Sequence, residues 1–143
     1  MKPIHLLFGA AIVVGTFTFA GARSSYGSVI AQQYRLERDS ISTKAGCKYC
    51  HTTAFGGEGW NKFGGALKAK LDGAAKGKIQ DALLLVLQDN ADADGDGYSN
   101  ALEVVAKTLP GDAKSKPSVG VTDLEAELKK IGGVEVFKPV VAK

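Results

Sequence analysis

An all-α domain with long loops is what this sequence predicts, and three observations carry it. Apolar residues recur at spacings of three and four in two stretches. Trp60, Phe63, Leu67 and Leu71 form one set and Ile79, Ala82, Leu83, Val86 and Leu87 the other, so each falls on one helical face. Helix-ending residues follow later candidates, Pro110 after one and Gly132 after another. Period-two alternation is confined to Val134-Glu135-Val136-Phe137, which leaves a sheet almost nothing to build on.

Taken in order, residues 1–22 read as a secretory signal peptide. Lys2 provides a short positive region, 6–19 an uncharged apolar run, and Ala20-Gly21-Ala22 a small-residue exit before Arg23. A retained anchor is the alternative, because 6–22 reaches the lower length of a spanning helix. With cleavage after Ala22, no stable membrane insertion is expected, and the mature chain, 23–143, is one domain in the periplasm or otherwise exported. Cleavage also removes Met1, the only methionine, and His5, the only histidine besides His51.

Residues 28–38, SVIAQQYRLER, suit a short amphipathic helix, and 39–46 a polar link. Gly56, Gly57 and Gly59 make a flexible loop before the helix of 60–71. Gly64 and Gly65 inside that helix either weaken it or let something approach closely. A second helix spans 78–90, with Leu84 and Leu85 widening its apolar stripe. A third starts near Ser99 and runs until Pro110 stops it. After the loop 110–120 comes a short helix with Thr122 as cap and Gly132 as terminator, then a tail; this C-terminal part covers 122–143.

The chain has 143 residues, 45% of them apolar, and a formal charge of +3. That charge, with no arginine cluster, argues against nucleic acid as a partner. Seven lysines lie between Lys44 and Lys78 against Glu58 and Asp72, whereas 89–103 carries five carboxylates and no base.

Cys47-Lys48-Tyr49-Cys50-His51 is C-x-x-C-H, the attachment signature of c-type haem. On one helical turn two thiols reach the two vinyl groups and the adjacent imidazole, His51, points at the iron as proximal ligand. A zinc site would need a fourth Cys or His, which the mature chain lacks. A thioredoxin-like pair would need a βαβ context, and a Cys47–Cys50 disulfide would leave His51 unexplained. Export agrees with haem, because c-type haem is attached outside the cytoplasmic membrane.

The sixth ligand is not methionine or a second histidine within one mature molecule. An open or water-bound position is favoured, then Lys62 or Lys68; Asn61, the new amino terminus and a partner's donor also remain. Phe55, Trp60, Asn61, Phe63 and Leu67 are the candidate haem-pocket residues, with Ile79, Leu83 and Leu87 extending the apolar wall. The Trp60 N–H is a candidate donor to a propionate.

The run from Asp92 to Glu103 fits D-x-[DN]-x-[DN]-G-x5-E without a gap. Asp92, Asp94 and Asp96 stand at positions 1, 3 and 5, the Tyr98 carbonyl at 7, Asn100 at 9 directly or through water, and Glu103 at 12. Gly97 permits the sharp turn. Ca2+ is therefore expected at 92–103. One loop rather than a pair implies a structural ion, not a sensor.

On these residues the chain resembles small exported monohaem c-type cytochromes, with CKYCHT, Gly-Gly and Asn-x-Phe-Gly in that order. Its acidic loop is similar to thrombospondin type 3 and dockerin-like calcium loops. The resemblance implies a small cytochrome c-like helical domain with its haem part at about 28–90, one covalent haem c on Cys47 and Cys50, and one Ca2+. It implies single-electron transfer between redox partner proteins, with the lysines suited to acidic ones. It departs from ordinary class I cytochromes in having no distal methionine. The alternative is a haem protein that binds small ligands or handles peroxide at an open or weakly ligated distal face. Catalysis ranks below carriage, since the only mature arginines, Arg23, Arg35 and Arg38, lie away from the motif in sequence.

Overall fold

The computed structural model describes residues 26–37, 45–57 and 59–139. The segment expected to be a signal peptide, most of the polar link, Glu58 and the last four residues lie outside them. Among the described residues there are five α-helices, two 3-10 turns and no strand, so the all-α expectation holds. None of these helices is long and apolar enough to cross a membrane.

The helices are α1 Tyr26–Gln33, α2 Lys62–Asp72, α3 Ile79–Gln88, α4 Asn100–Ala106 and α5 Val121–Ile131. The 3-10 turns are Gly46–Tyr49, which carries the first cysteine, and Val134–Phe137. α3 is the hub: α1, α2, α4 and the second turn all pack on it. Its Ile79, Ala82, Leu83, Val86 and Leu87 are buried, while Leu84 and Leu85 are half-buried, as the period of the stripe requires. Truncating a fully buried leucine such as Leu83 to alanine costs about 2–5 kcal/mol.

Aromatic rings join the cysteine turn to this core. Tyr49 meets Phe63 edge-on at 5.5 Å and Tyr34 at 6.2 Å, and Tyr34 meets Phe137 at 5.7 Å. The Tyr34 hydroxyl donates to the Leu83 carbonyl at 2.8 Å. Burial pushes the Tyr34 and Tyr49 phenols well above their ordinary range, so both stay neutral.

Several element boundaries differ from the sequence expectation, each for a local reason. α1 starts two residues earlier and ends at Gln33, because Arg35 takes a left-handed φ of 52°. Lys107 reaches across to close that end, donating to the carbonyls of Tyr34 at 3.4 Å and Arg35 at 3.2 Å. Trp60 is not helical, since Asn61 caps α2. α4 stops at Ala106, well before Pro110, because Lys107 itself adopts φ 61°. α5 is capped by Gly120, not Thr122, although Gly132 ends it as expected with φ 111°. Residues 134–137 form a 3-10 turn that buries Phe137, so their alternation is not a strand.

Candidate functional site

The cysteine motif folds as one tight turn. Gly46, at φ 53°, lets the chain enter it. The amide of Cys50 donates to the Cys47 carbonyl at 3.2 Å and that of His51 to the same oxygen at 2.9 Å. Cys47 and His51 are thus one α-turn apart. Both cysteines are free thiols, Cys47 exposed and Cys50 buried. Burial, with the Cys47 charge second, pushes the Cys50 thiol up to about 12.

The turn is held from the other side by 59–64. Thr52 N–H donates to the Gly59 carbonyl at 2.8 Å and Asn61 N–H to the Cys50 carbonyl at 3.0 Å, which makes an antiparallel bridge between His51 and Trp60. Their rings stack with centroids 4.2 Å apart and planes 31° apart. The Asn61 side chain then does three things at once. Its Oδ1 accepts from Gly64 N at 2.7 Å, which caps α2, and its Nδ2 donates to the carbonyls of Lys48 at 3.0 Å and Tyr49 at 3.1 Å. Gly64 packs directly on Cys50, so close approach is the reason for a glycine there, whereas nothing lies within 4 Å of a Cβ at Gly65.

These contacts decide between some of the sequence expectations. Asn61 is committed to its cap and to two carbonyls, so it is removed from the iron-ligand options. Lys68 pairs with Asp72, and Lys62 is exposed. Phe63 and Leu67 are buried in the helical core, while Phe55 is 97% exposed. The donor set fits a covalently held haem. Two unbridged thiols share a turn, and His51 Nδ1 is buried without a partner. A Cβ on Gly56 would lie 3.8 Å from both the Cys47 Sγ and the Cδ2 of His51, so the carbon next to Nε2 is on the side of the exposed thiol.

The acidic loop closes through its own backbone. Asp92 accepts from Gly95 N at 2.7 Å and Gly97 N at 2.8 Å, and Asp96 Oδ1 accepts from Tyr98 N at 2.9 Å. Gly95 and Gly97 take φ of 84° and 98° to allow this. One carboxylate oxygen from each of Asp92, Asp94 and Asp96 lies within 4.8 Å of the others. Asn100 Oδ1 accepts from Ala93 N at 3.1 Å, so the position-9 side chain braces the loop. Within this loop the orphaned buried atoms are Asp94 Oδ2, Asp96 Oδ2, Asn100 Nδ2 and both oxygens of Glu103.

Glu103 is fully buried, and its carboxyl rises to about 9 through desolvation first and then the charges of Asp94, Asp96 and Asp92. The nearby Thr108 hydroxyl softens this, but donates to the Glu103 main-chain carbonyl at 3.3 Å. Asp94 rises to about 6, again by desolvation and then by Asp96. Buried carboxylate oxygens without donors, beside three more carboxylates, fit a hard divalent cation. Sequence reasoning missed Lys116, which donates to the Asp96 carbonyl at 2.5 Å with its ammonium 5.2 Å from the Tyr98 ring centroid. Its twenty-residue separation from the loop gives no local signal. No family model, curated protein or solved structure matches the chain, so what it does has to be read from these two clusters of side chains.

Proposed function

We propose that this chain is an exported monohaem c-type cytochrome that carries single electrons between partner proteins, with a calcium ion at 92–103. The observation that supports it most is the joint placement of Cys47, Cys50 and His51 on one braced turn, with two free thiols and a sealed Nδ1. Cys47 and Cys50 would hold the group covalently and His51 would ligate its iron. A haem so held supplies reversible one-electron oxidation and reduction. The protein's part is to orient and to exclude water. Trp60 fixes the imidazole plane by stacking, Asn61 fixes the turn, and the Tyr49–Phe63 contact seals its inner side. Exposure of Cys47 and Phe55 leaves the outer side accessible to a partner.

At the acidic loop, Asp92, Asp94, Asp96, the Tyr98 carbonyl and Glu103 would hold the ion. Its charge would answer the buried Glu103 carboxylate and tie the end of α3 to the start of α4.

A second reading, small-ligand binding at an open distal face, is favoured by the commitment of Asn61 and Lys68 to other partners. Acidified acetone tests the shared premise on the purified mature protein. Haem should stay with the chain, and Cys47→Ala or Cys50→Ala should loosen it; haem extracted from the wild type refutes both readings. Ferric spin state and carbon monoxide binding then separate carriage from ligand binding.

A further inference from the structure

The two clusters are mechanically joined. After α4 the chain runs through Leu109 and Pro110, both buried, to Gly111, which is pressed against Asn61. A Cβ on Gly111 would lie 2.4 Å from Asn61 Oδ1, 2.5 Å from Cγ and 2.7 Å from Nδ2, so main chain rests on the whole amide. The same strap is anchored at both ends to the acidic loop. Thr108 N–H donates to the Glu103 carbonyl at 3.0 Å, and Lys116 to the Asp96 carbonyl at 2.5 Å. Between them Ser115 Oγ accepts from Leu109 N at 3.0 Å and Asp112 N–H donates to the Leu109 carbonyl at 3.1 Å, which stiffens the bend. Asn61 in turn grips the carbonyls of Lys48 and Tyr49 and caps α2.

We propose that cation occupancy of 92–103 sets the geometry of the cysteine–histidine turn through the strap 108–116, with Gly111 and Asn61 as positioning residues. The inference rests on the reading of 92–103 as a cation site. Without the cation, the three aspartates repel one another, and one anchor of the strap, the Asp96 carbonyl, lies on a residue that is pushed apart. With it, that anchor is fixed and Gly111 holds the Asn61 amide against the turn. Coupling of this kind is reciprocal, so a group that rigidifies the turn tightens calcium by the factor by which calcium tightens the turn.

The test is a calcium chloride titration of the 15N-labelled mature protein in a diamagnetic state, either haem-free or reduced and bound to carbon monoxide. The amides of Gly95 and Gly97 report the loop, and the Asn61 side-chain amide and Gly64 N–H report the turn. Joint movement with one midpoint is the expected result. Movement of the loop signals alone overturns the coupling and leaves the cation reading standing. Movement of neither overturns both. In Gly111→Ala the loop should still titrate while the Asn61 response is lost. Should that variant not fold, Lys116→Met, at an exposed position, should weaken the Asn61 response. A full response in the folded variant would reject the strap as the route.

Discussion

Gly64 lies so close to Cys50 that a methyl carbon on it would stand 1.9 Å from the Cys50 carbonyl oxygen. That oxygen also accepts the Asn61 N–H at 3.0 Å, so it is not free to move aside. Gly64→Ala should therefore destabilise the protein by about 1–3 kcal/mol, as overpacking against fixed neighbours does. Gly65→Ala, with nothing near its Cβ, should stabilise α2 by up to about 1 kcal/mol. Thermal melting of the two variants checks the contrast, and equal effects would contradict the contact.

Asn61 separates capping from bracing. Asn61→Ala removes the acceptor for Gly64 N and the donor for two carbonyls, with an expected loss of about 2–4 kcal/mol. Asn61→Asp keeps the cap but donates nothing to Lys48 and Tyr49. Denaturant unfolding should place it between alanine and wild type. Full wild-type stability in the aspartate variant would mean that the bracing bonds contribute nothing.

The two thiols should react very differently when both are free. Cys47 is exposed, whereas Cys50 is buried with its thiol near 12, so at pH 8 only about one molecule in ten thousand carries its thiolate. Alkylation followed by mass spectrometry should modify Cys47 first and Cys50 only on unfolding. Equal rates under folding conditions would contradict the packing of Gly64 on Cys50.

Calcium should oppose the pH dependence of the chelated protein. In chelator, Glu103 titrates near 9 in the folded protein against about 4.5 when unfolded, and Asp94 near 6. The folded state then holds more protons. Stability is greatest below about pH 4.5 and falls as pH rises towards 9. With calcium at a hundred times its dissociation constant the folded state gains about 2.7 kcal/mol, and that gain fades as protons compete for the same oxygens at low pH. The melting-temperature gap between the two conditions should widen with pH, and Asp94→Ala or Glu103→Ala should close it. A gap independent of pH would refute the role given to these carboxylates.

Local pattern made much of this legible. The stripe on α3 announced the core, and the spacing of Asp92, Asp94 and Asp96 announced a loop whose carboxylates converge. The C-x-x-C-H turn was equally readable, since five contiguous residues fix their own geometry. What escaped was non-local. Trp60 has helical spacing with Phe63, yet Asn61 takes the cap because its side chain finds Gly64 and the cysteine turn together. Phe55 reads as core by type and is exposed, because its loop projects beyond the bridge at His51 and Trp60. Gly111 looks like an ordinary glycine after a proline, and only folding brings it onto Asn61.

The bracing of the turn also has a consequence for how this region breathes. The amides of His51, Asn61 and Gly64 have their acceptors on Cys47, Cys50 and Asn61, so none can open without disturbing a neighbour in the same short circuit. Their hydrogens should therefore exchange with deuterium at a shared opening free energy, as one small cooperative unit. The tip of the loop at Phe55, outside that circuit, should exchange freely while the turn beneath it stays shut.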